Sequence, residues 1–561
     1  MATQPTLFDF LAVAERVPAP VLVPNISQKS FKSSPQQERL FTWVKTGRGN
    51  AIVVAVAGSG KTTTLLGKAD DSGNTLLPGA VDFMNGSVAV VAFGKKNAQE
   101  FDARLTARGV DKKRIRSGTA HSFGFSAWRW ANKGVRVAER NGAEKWDLIV
   151  QALQIPEQFQ SFVRSLIRMA KQRAIGVLCP IDSQAAYYDI VDHFDMAYEL
   201  AEENEYGTGQ DPEQLIQDGV NWAIKALRYS NSIGREIVDF DDMPYLPLVF
   251  NCRIWANDWL LVDEAQDTNP CRRALYRRML KPGGRAIFVG DPAQAIYGFT
   301  GADNDSLDLI KNEFHCTELP LTVTYRCPKA VVQLAKTWVN HIEAHDSNIE
   351  GQVYSVQMVD FIKQTKELNK QDAILCRNTK PLVELAFSLI RAGVPCHVEG
   401  KEIGRGLISL TKRWQVRTID ALRNRLGTFL ERETRKLMAK GKEDSAAALT
   451  DRVETVLVIA GTMPADSRVS DLRAKIEGMF ADTADGKPAI NLTLATVHKA
   501  KGMEWNDVYL LGRNKYMPSP YARQTWQMEQ EDHLCYVAVT RSMRKFVDVF
   551  VPVVPRQREA A

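Results

Sequence analysis

An apolar run, Ala51 to Val56, passes straight into Ala57-Gly58-Ser59-Gly60-Lys61-Thr62, and a helix-compatible run, Thr62 to Lys68, follows. A buried strand that turns through glycines into a helix offers successive backbone N–H groups and a helix N-terminus to a polyphosphate. Gly58 and Gly60 let the backbone approach the anion where a side chain would block it. Lys61 is then placed to reach the β- and γ-phosphates, and the Thr62 hydroxyl to hold Mg²⁺. Ala55 stands where such loops usually begin with glycine. The alternative, a bare glycine turn between strand and helix, explains neither the lysine nor the hydroxyl.

Such a loop belongs in a parallel α/β sheet, and the chain supplies the strands for one. Apolar, β-branched-rich runs occur at Ala51–Val56, Val88–Phe93, Trp259–Val262, Ala286–Val289, Ala373–Cys376, Leu492–Ala495 and Val508–Leu511. Most are followed at once by polar or glycine-containing segments, the places where parallel sheets hold ligands. Two stretches break this rhythm and read as helical insertions into two α/β cores. From Gly124 to Val238, Phe159, Phe162, Val163, Leu166, Ile167 and Ala170 recur at helical spacing. From Gly404 to Asp485, Val416, Ile419, Leu422, Leu426 and Phe429 share one face. Residues 412–442 carry ten Lys/Arg against three Asp/Glu. A solvated helix face is the preferred reading there, with nucleic-acid contact as the alternative.

The 561 residues allow three or four compact units, and 45% hydrophobic with 25% charged content is that of a globular chain. A net charge of +6 is compatible with a polyanionic partner and equally with an ordinary balance. The eight cysteines form no C-x-x-C pair, which argues against a zinc ribbon and suits buried free thiols in a reducing compartment. Neither a signal peptide nor a membrane-spanning apolar run is visible, so no membrane partner is expected. Residues 11–35, with Pro18, Pro20, Pro24 and Pro35, read as an extended tether.

Trp259-Leu260-Leu261-Val262 ends in Asp263-Glu264-Ala265-Gln266-Asp267. Adjacent carboxylates at the end of a buried strand are costly unless they serve a metal and water. Asp263 is expected to support Mg²⁺, and Glu264 to orient or deprotonate the attacking water. In Val289-Gly290-Asp291-Pro292-Ala293-Gln294-Ala295-Ile296-Tyr297-Gly298-Phe299, Gln294 is a γ-phosphate sensor candidate, while Tyr297 and Phe299 suit nucleic acid. Arg326 and Arg541 each follow an apolar stretch and are candidates to stabilise transition-state charge; alone, each would read as an ordinary ion-pair residue.

Taken together and in order, these segments resemble the superfamily 1 helicases of the UvrD/Rep type. Gln37, in Ser34-Pro35-Gln36-Gln37, matches the glutamine that reads adenine. Ala57 to Thr62 matches Walker A, and Ala92 to Ala98 the next, DNA-contacting motif. Gly118-Thr119-Ala120-His121-Ser122-Phe123 resembles G-T-x-H-S-F, and Asp239 to Met243 the acidic segment before Walker B. Asp263 to Asp267 matches D-E-x-Q-D, and Gly290 to Ala302 matches G-D-x-x-Q-x-I-Y-x-[WF]-x-G-A. Tyr325-Arg326, Thr496 to Trp505 and Tyr536 to Arg541 match the motifs of the second core.

The resemblance implies an α/β fold: two RecA-like parallel-sheet domains of the P-loop NTPase kind, each with a mainly helical insertion and with an ATP cleft between them. The expected boundaries are a tail over 1–32, a first domain over 33–123 and 239–318 interrupted by 124–238, and a second over 319–403 and 486–561 interrupted by 404–485. ATP and Mg²⁺ are the implied cofactors. The nucleotide site would comprise Gln37, Ala55, Val56, Ala57, Gly58, Ser59, Gly60, Lys61, Thr62, Thr63, Tyr325 and Glu504. Tyr325 would stack on adenine, Arg326 and Arg541 would reach the γ-phosphate, and Glu504 would contact the ribose or couple the cleft to the track. Single-stranded DNA would pass Phe93, Lys96, Thr119, His121, Phe123, Tyr297, Phe299, Thr496 and His498, although core packing is the preferred reading of Phe123 by itself. Thr63 and Thr300 replace arginines common in relatives.

The function implied is ATP-dependent 3′-to-5′ translocation and unwinding of tailed duplex DNA, by a monomer or weak dimer, in replication, repair or recombination. A translocase that strips proteins with little unwinding is one alternative. A clamp-tethered DNA-binding switch subunit is another, and an RNA substrate a weaker third. Gln4, Leu7, Phe8 and Phe10 resemble peptides that bind sliding clamps, with a disordered tail or a strap as the alternatives. The expected setting is the cytoplasm at the nucleoid, or a host cytoplasm for a viral protein.

Overall fold

The computed structural model describes residues 33–552 apart from 70–74, 140–141, 195, 197–210, 299–304, 393, 395, 415, 440–442, 482–491, 521 and 523. The clamp-peptide residues Gln4, Leu7, Phe8 and Phe10, and the strand-contact candidate Phe299, lie outside the described residues. The chain divides near Thr322 into two compact units.

The amino-terminal unit, Lys29–Thr322, is built on six strands. They are β1 (Asn50–Ala55), β2 (Val88–Ala92), β3 (Ile115–Thr119), β4 (Asn257–Val262), β5 (Leu280–Gly290) and β6 (Cys316–Leu321). Their order is β6-β1-β5-β4-β2-β3, and every pair is parallel. A parallel sheet covered on both faces needs apolar residues at successive positions, which is why β2 is buried throughout. Val53, Val90, Leu261 and Ile287 enter the core beneath the helices Pro35–Thr46 and Lys95–Ala107. Their neighbours Ile52, Ala89, Leu260 and Phe288 enter a second core, shared with Phe162, Leu166 and Leu227 of the helical segment.

That helical segment is joined to the sheet by two devices. The helix Ala120–Ala131 crosses the helix Asp242–Val249 so closely that a Cβ at Gly124 would stand 2.3 Å from the Met243 carbonyl oxygen. Only glycine permits that approach. Beside it lies an ion network in which Lys145, Lys171 and Asp242 are buried and Asp239 half-buried. Lys145 Nζ is 2.6 Å from Asp242, and Lys171 Nζ is 2.7 Å from both Asp239 and Asp242. Burial lowers Lys145, whereas for Lys171 the two carboxylates outweigh burial and hold it above its ordinary value.

The strands of the main sheet in the carboxy-terminal unit, from Val323 onward, number seven among the described residues. They are β7 (Gln352–Gln357), β8 (Ala373–Cys376), β9 (Cys396–Glu399), β10 (Phe480–Ala481), β11 (Leu492–Thr496), β12 (Trp505–Leu511) and β13 (Ser542–Phe550). The order β7-β13-β12-β8-β11-β9-β10 is again all parallel. After the helix Lys401–Thr411, three further helices, Ile419–Ala439, Glu443–Gly461 and Val469–Met479, interrupt it between β9 and β10. Their Leu422, Leu426, Val453, Val456 and Leu472 share one core with Ile374, Leu382 and Leu494 of the sheet layer. Asp451 of the second helix accepts backbone N–H groups of Thr379 (2.9 Å) and Lys380 (2.8 Å), capping the helix Thr379–Arg391 where its dipole favours an anion. All eight cysteines are free thiols, five of them buried. Among the described residues no helix is long and apolar enough to cross a membrane.

Candidate functional site

β1 ends under Val56, whose N–H donates to the Leu321 carbonyl at 2.9 Å. The chain then turns through Gly58 (φ 72) and Gly60 (φ 81) into the helix Lys61–Leu66. Both glycines occupy the left-handed region that costs other residues energy. Ser59 is buried, and among the described residues its hydroxyl oxygen has no hydrogen-bond partner.

The neighbouring strand ends bring carboxylates to this loop. Lys61 Nζ lies 3.2 Å from Glu264 Oε1 and 3.3 Å from Oε2. Thr62 Oγ1 donates to Asp263 Oδ2 at 3.5 Å. Burial alone would lower the Lys61 ammonium, but Glu264, Asp291 and Asp263 outweigh it and hold it above its ordinary value. Burial, reinforced by Glu264, pushes the Asp263 carboxyl up to about 7. Burial raises Asp291 as well. Glu264 itself has φ 52, an uncommon conformation for a side-chain-bearing residue and a frequent mark of functional sites.

One carboxamide links the two strand ends. Gln266 Nε2 donates to Glu264, and Gln266 Oε1 accepts from Asp291 N–H at 3.1 Å. Gln294 Nε2 donates to Asp291 Oδ2 at 2.7 Å, so the sensor candidate reaches the loop through Asp291. Asp291 and Gln266 were absent from the sequence-based site, although the G-D-x-x-Q and D-E-x-Q-D segments contain them.

The remaining nucleotide candidates occupy several places. Ala55, Val56 and Ala57 are buried, and Thr63 is half-buried on the loop helix. Gln37 is buried beside the loop with both ends of its carboxamide engaged: Oε1 accepts from Ser34 N–H at 2.9 Å, and Nε2 donates to Thr64 Oγ1 at 2.8 Å. The first of these bonds, with Gln37 N–H donating to Ser34 Oγ at 3.1 Å, forms a capping box for the helix Pro35–Thr46. In the carboxy-terminal unit, Tyr325 is exposed with its ring 4.8 Å from that of His345. Arg326 Nε donates to Glu504 Oε2 at 2.6 Å. Arg541 is buried, with Nε donating to the Val537 carbonyl at 2.9 Å and Nη2 to Thr540 Oγ1 at 3.1 Å.

The strand candidates fall in two groups. In the amino-terminal unit, the Phe93 and Tyr297 rings stack at 5.4 Å and 8°. Lys96 is exposed, Thr119 caps the helix Ala120–Ala131, and His121 is half-buried at its start. Phe123 packs against the core, as its single-residue reading expected. In the carboxy-terminal unit, Thr496 caps the short helix Val497–Ala500, and burial with Arg377 and Lys501 nearby pushes His498 down to about 3.

Residues 35–315 match the model of the UvrD/REP helicase N-terminal domain, half of the chain, and residues 473–547 match the UvrD-like helicase C-terminal domain. The chain belongs to the UvrD/Rep helicase family. Within that family it is similar to the ATP-dependent DNA helicase Rep of Buchnera aphidicola, 24% identical over 59% of this chain and 49% of the relative. It is also similar to the ATP-dependent DNA helicase UvrD2 of Mycobacterium tuberculosis, 24% identical over 55% and 51%. The ATP-dependent DNA helicase PcrA of Staphylococcus epidermidis aligns over 89% of this chain and 81% of its own length, at 21% identity. The chain thus spans about half the length of the first two relatives and most of the third.

Proposed function

We propose that this UvrD/Rep-family chain is an ATP-driven motor that moves 3′ to 5′ along single-stranded DNA and separates duplex ahead of it. The observation that carries the reading is the meeting of Lys61, Thr62, Asp263 and Glu264 at the ends of parallel strands, beside a glycine loop open to a polyphosphate. Three carboxylates, Asp263, Glu264 and Asp291, face one ammonium there, and a divalent cation would offset that excess. The unpartnered Ser59 hydroxyl marks a polar position in want of an external group. Mg²⁺ fits this set, with Thr62 and Asp263 to hold it; a site of one carboxylate and one hydroxyl suits an ion that keeps waters and phosphate oxygens as its other ligands. When bound, the ion supplies charge neutralisation at the phosphates.

The chain's own residues divide the work. Loop N–H groups and Lys61 hold the polyphosphate. Glu264, fixed by Gln266, accepts the proton of the attacking water at its carboxylate. Gln294 reports on the γ-phosphate through Asp291. Arg326 and Arg541 supply charge to the transition state after leaving their present partners, and Tyr325 stacks on adenine. Gln37 reads adenine only if its capping-box bonds rearrange. The strand runs over Phe93, Lys96, His121, Tyr297, Thr496 and His498, where aromatic stacking tolerates any sequence. The clamp-peptide reading of Gln4, Leu7, Phe8 and Phe10 belongs to the same proposal, and a Met1–Arg16 peptide with no saturable binding to sliding clamps would remove it.

The deciding experiment compares ATP-dependent unwinding of a duplex with a 3′ single-stranded tail and the same duplex with a 5′ tail. Unwinding from the 3′ tail alone is expected. Preference for the 5′ tail overturns the direction. Failure on both, with DNA-stimulated hydrolysis intact, replaces unwinding by protein-displacing translocation.

A further inference from the structure

The nucleotide and strand candidates of the amino-terminal unit gather at the carboxyl ends of its parallel strands. The opposite end of the same sheet carries a different surface. β4 runs from Asn257 to Val262, so its entry lies roughly 17 Å of strand away from the end that leads to Asp263. Residues 250–256 form the loop that enters β4 from the helix Asp242–Val249. Two large rings are exposed on this loop, Phe250 at 39% and Trp255 at 62%.

Arginines surround the two rings. Arg116, at the start of β3, lies 4.3 Å from the Trp255 ring centre, and Arg235 lies 5.8 Å from that of Phe250. Arg278 Nη2 donates to the Cys252 carbonyl at 2.9 Å, and Arg253 is exposed on the loop itself. Burial pushes the Cys252 thiol up and Arg278 and Arg235 oppose it, so both guanidiniums stand beside the loop. Among the described residues none of these four arginines forms an ion pair. Cations elsewhere in the unit do: Arg104 with Glu100 at 2.7 Å, Arg108 with Asp82 at 2.7 Å and Lys112 with Asp102 at 3.0 Å. The carboxylates nearest in sequence are Glu236, adjacent to Arg235, and Asp258, which is held by Ser87 and by Lys281 at 2.8 Å. The loop therefore presents an apolar centre inside an excess of positive charge.

The loop is also held in place from beneath. Asn251 takes the left-handed conformation (φ 49) and Cys252 N–H donates to the Pro247 carbonyl at 2.8 Å, which closes the helix end. The Phe250 ring rests 5.3 Å from that of the buried Trp128. Ile254 is buried, and Asn257 Nδ2 donates to the Trp255 carbonyl at 3.1 Å. A surface fixed before contact loses little freedom on binding.

Tryptophan, phenylalanine and arginine together are the composition of the energetic centres of protein interfaces. Guanidiniums pair with carboxylates through a planar fork, and complementary charge selects the partner. We propose that this surface docks an acidic segment of another protein, its carboxylates on Arg116, Arg235 and Arg253 and an apolar side chain against Phe250 and Trp255. A protein segment is favoured over nucleic acid because the rings need an apolar side chain to cover them, which a phosphate backbone does not bring. The strand candidates also lie at the other end of the sheet. The proposal does not depend on the motor reading; it gives the chain a means of recruitment that leaves the nucleotide loop free.

The test measures binding of the full chain, by fluorescence anisotropy, to a labelled nonapeptide in which phenylalanine follows each pair of aspartates. Two control peptides carry serine in place of every aspartate or of every phenylalanine. Saturable binding of the first peptide and weaker binding of both controls are expected. Trp255→Ala should weaken binding about tenfold, as loss of a central interface ring does. Arg253→Glu should weaken it and flatten its dependence on salt. Tyr354→Ala removes a ring of similar exposure from the carboxy-terminal unit and should change nothing. DNA-stimulated ATP hydrolysis should be the same in Trp255→Ala as in the unsubstituted chain, which keeps this result separate from the motor reading. Should Trp255→Ala fail to melt cooperatively, Arg253→Glu, an exposed position, decides alone. No saturable binding up to millimolar peptide overturns the proposal, as does equal affinity in both loop variants. So does weakened binding of blunt duplex DNA in those variants with no effect on the peptide, which would make the surface a nucleic-acid contact.

Discussion

Among the described residues Lys61 is the cation placed among Asp263, Glu264 and Asp291, and its removal has two consequences. Lys61→Ala takes away a donor aimed at the phosphates, so ATP turnover should fall by at least about 10². It also leaves buried carboxylates facing one another, so the melting temperature without nucleotide should drop. A phosphate-release assay and a thermal melt check the two separately, and turnover at the original rate would remove Lys61 from the mechanism. The histidines His121 and His498 make a pH prediction. Their folded-state values, about 4 and about 3, lie below the ordinary 6.5. The unfolded chain therefore takes up protons first as pH falls, and stability present above 6.5 is lost progressively down to the folded values. His121→Gln should narrow the stability difference between pH 7 and pH 4.5 by on the order of 2 kcal/mol. Urea melts at the two pH values would show no narrowing if the histidine titrates normally.

At the scale of elements, the joint between the sheet and the helical segment is the most exacting. Gly124→Ala would put a methyl 2.3 Å from the Met243 carbonyl oxygen and 2.7 Å from Pro244 Cα, both backbone atoms. The helices must part, and a loss of about 1–3 kcal/mol in chemical denaturation is expected. Lys171→Met would leave Asp239 without its ammonium and Asp242 with Lys145 alone, costing up to about 3–5 kcal/mol; adding Asp239→Asn should recover part of it. Neither joint was visible in the sequence. Lysines and aspartates 68 to 97 positions apart give no local sign that they pair. The strands were another matter. All seven apolar runs fall on strands, because those stretches of β1, β2, β4, β5, β8, β11 and β12 are covered on both faces, where successive positions must be apolar. β7 escaped notice because it is a sheet edge whose residues are mostly exposed, so no burial pattern marks it. The loop site was legible for the same reason as the buried strands: phosphate chemistry fixes residue type and spacing over a few positions. The bonds that engage Gln37, Arg326 and Arg541 depend on folding and were not.

At the scale of the molecule, the carboxy-terminal helices Ile419–Ala439, Glu443–Gly461 and Val469–Met479 are not an independent body. They share one core with their sheet, and Asp451 caps a helix of the sheet layer. Deleting residues 404–485 should therefore leave the rest of that unit unable to fold, whereas an appended domain would come away cleanly. Soluble expression and a cooperative melt of the deletion variant would contradict this.

The amino-terminal sheet carries a cost in time. β1 lies between β5 and β6, strands that appear more than two hundred residues later in the chain. At a synthesis rate of about 5–20 residues per second, that interval is roughly 10–50 s. Throughout it the first strand emerges from the ribosome with both edges unpaired and apolar side chains on both faces. A nascent chain of this design is open to aggregation until β6 arrives, and slowing translation between β1 and β5 should increase the fraction lost to it.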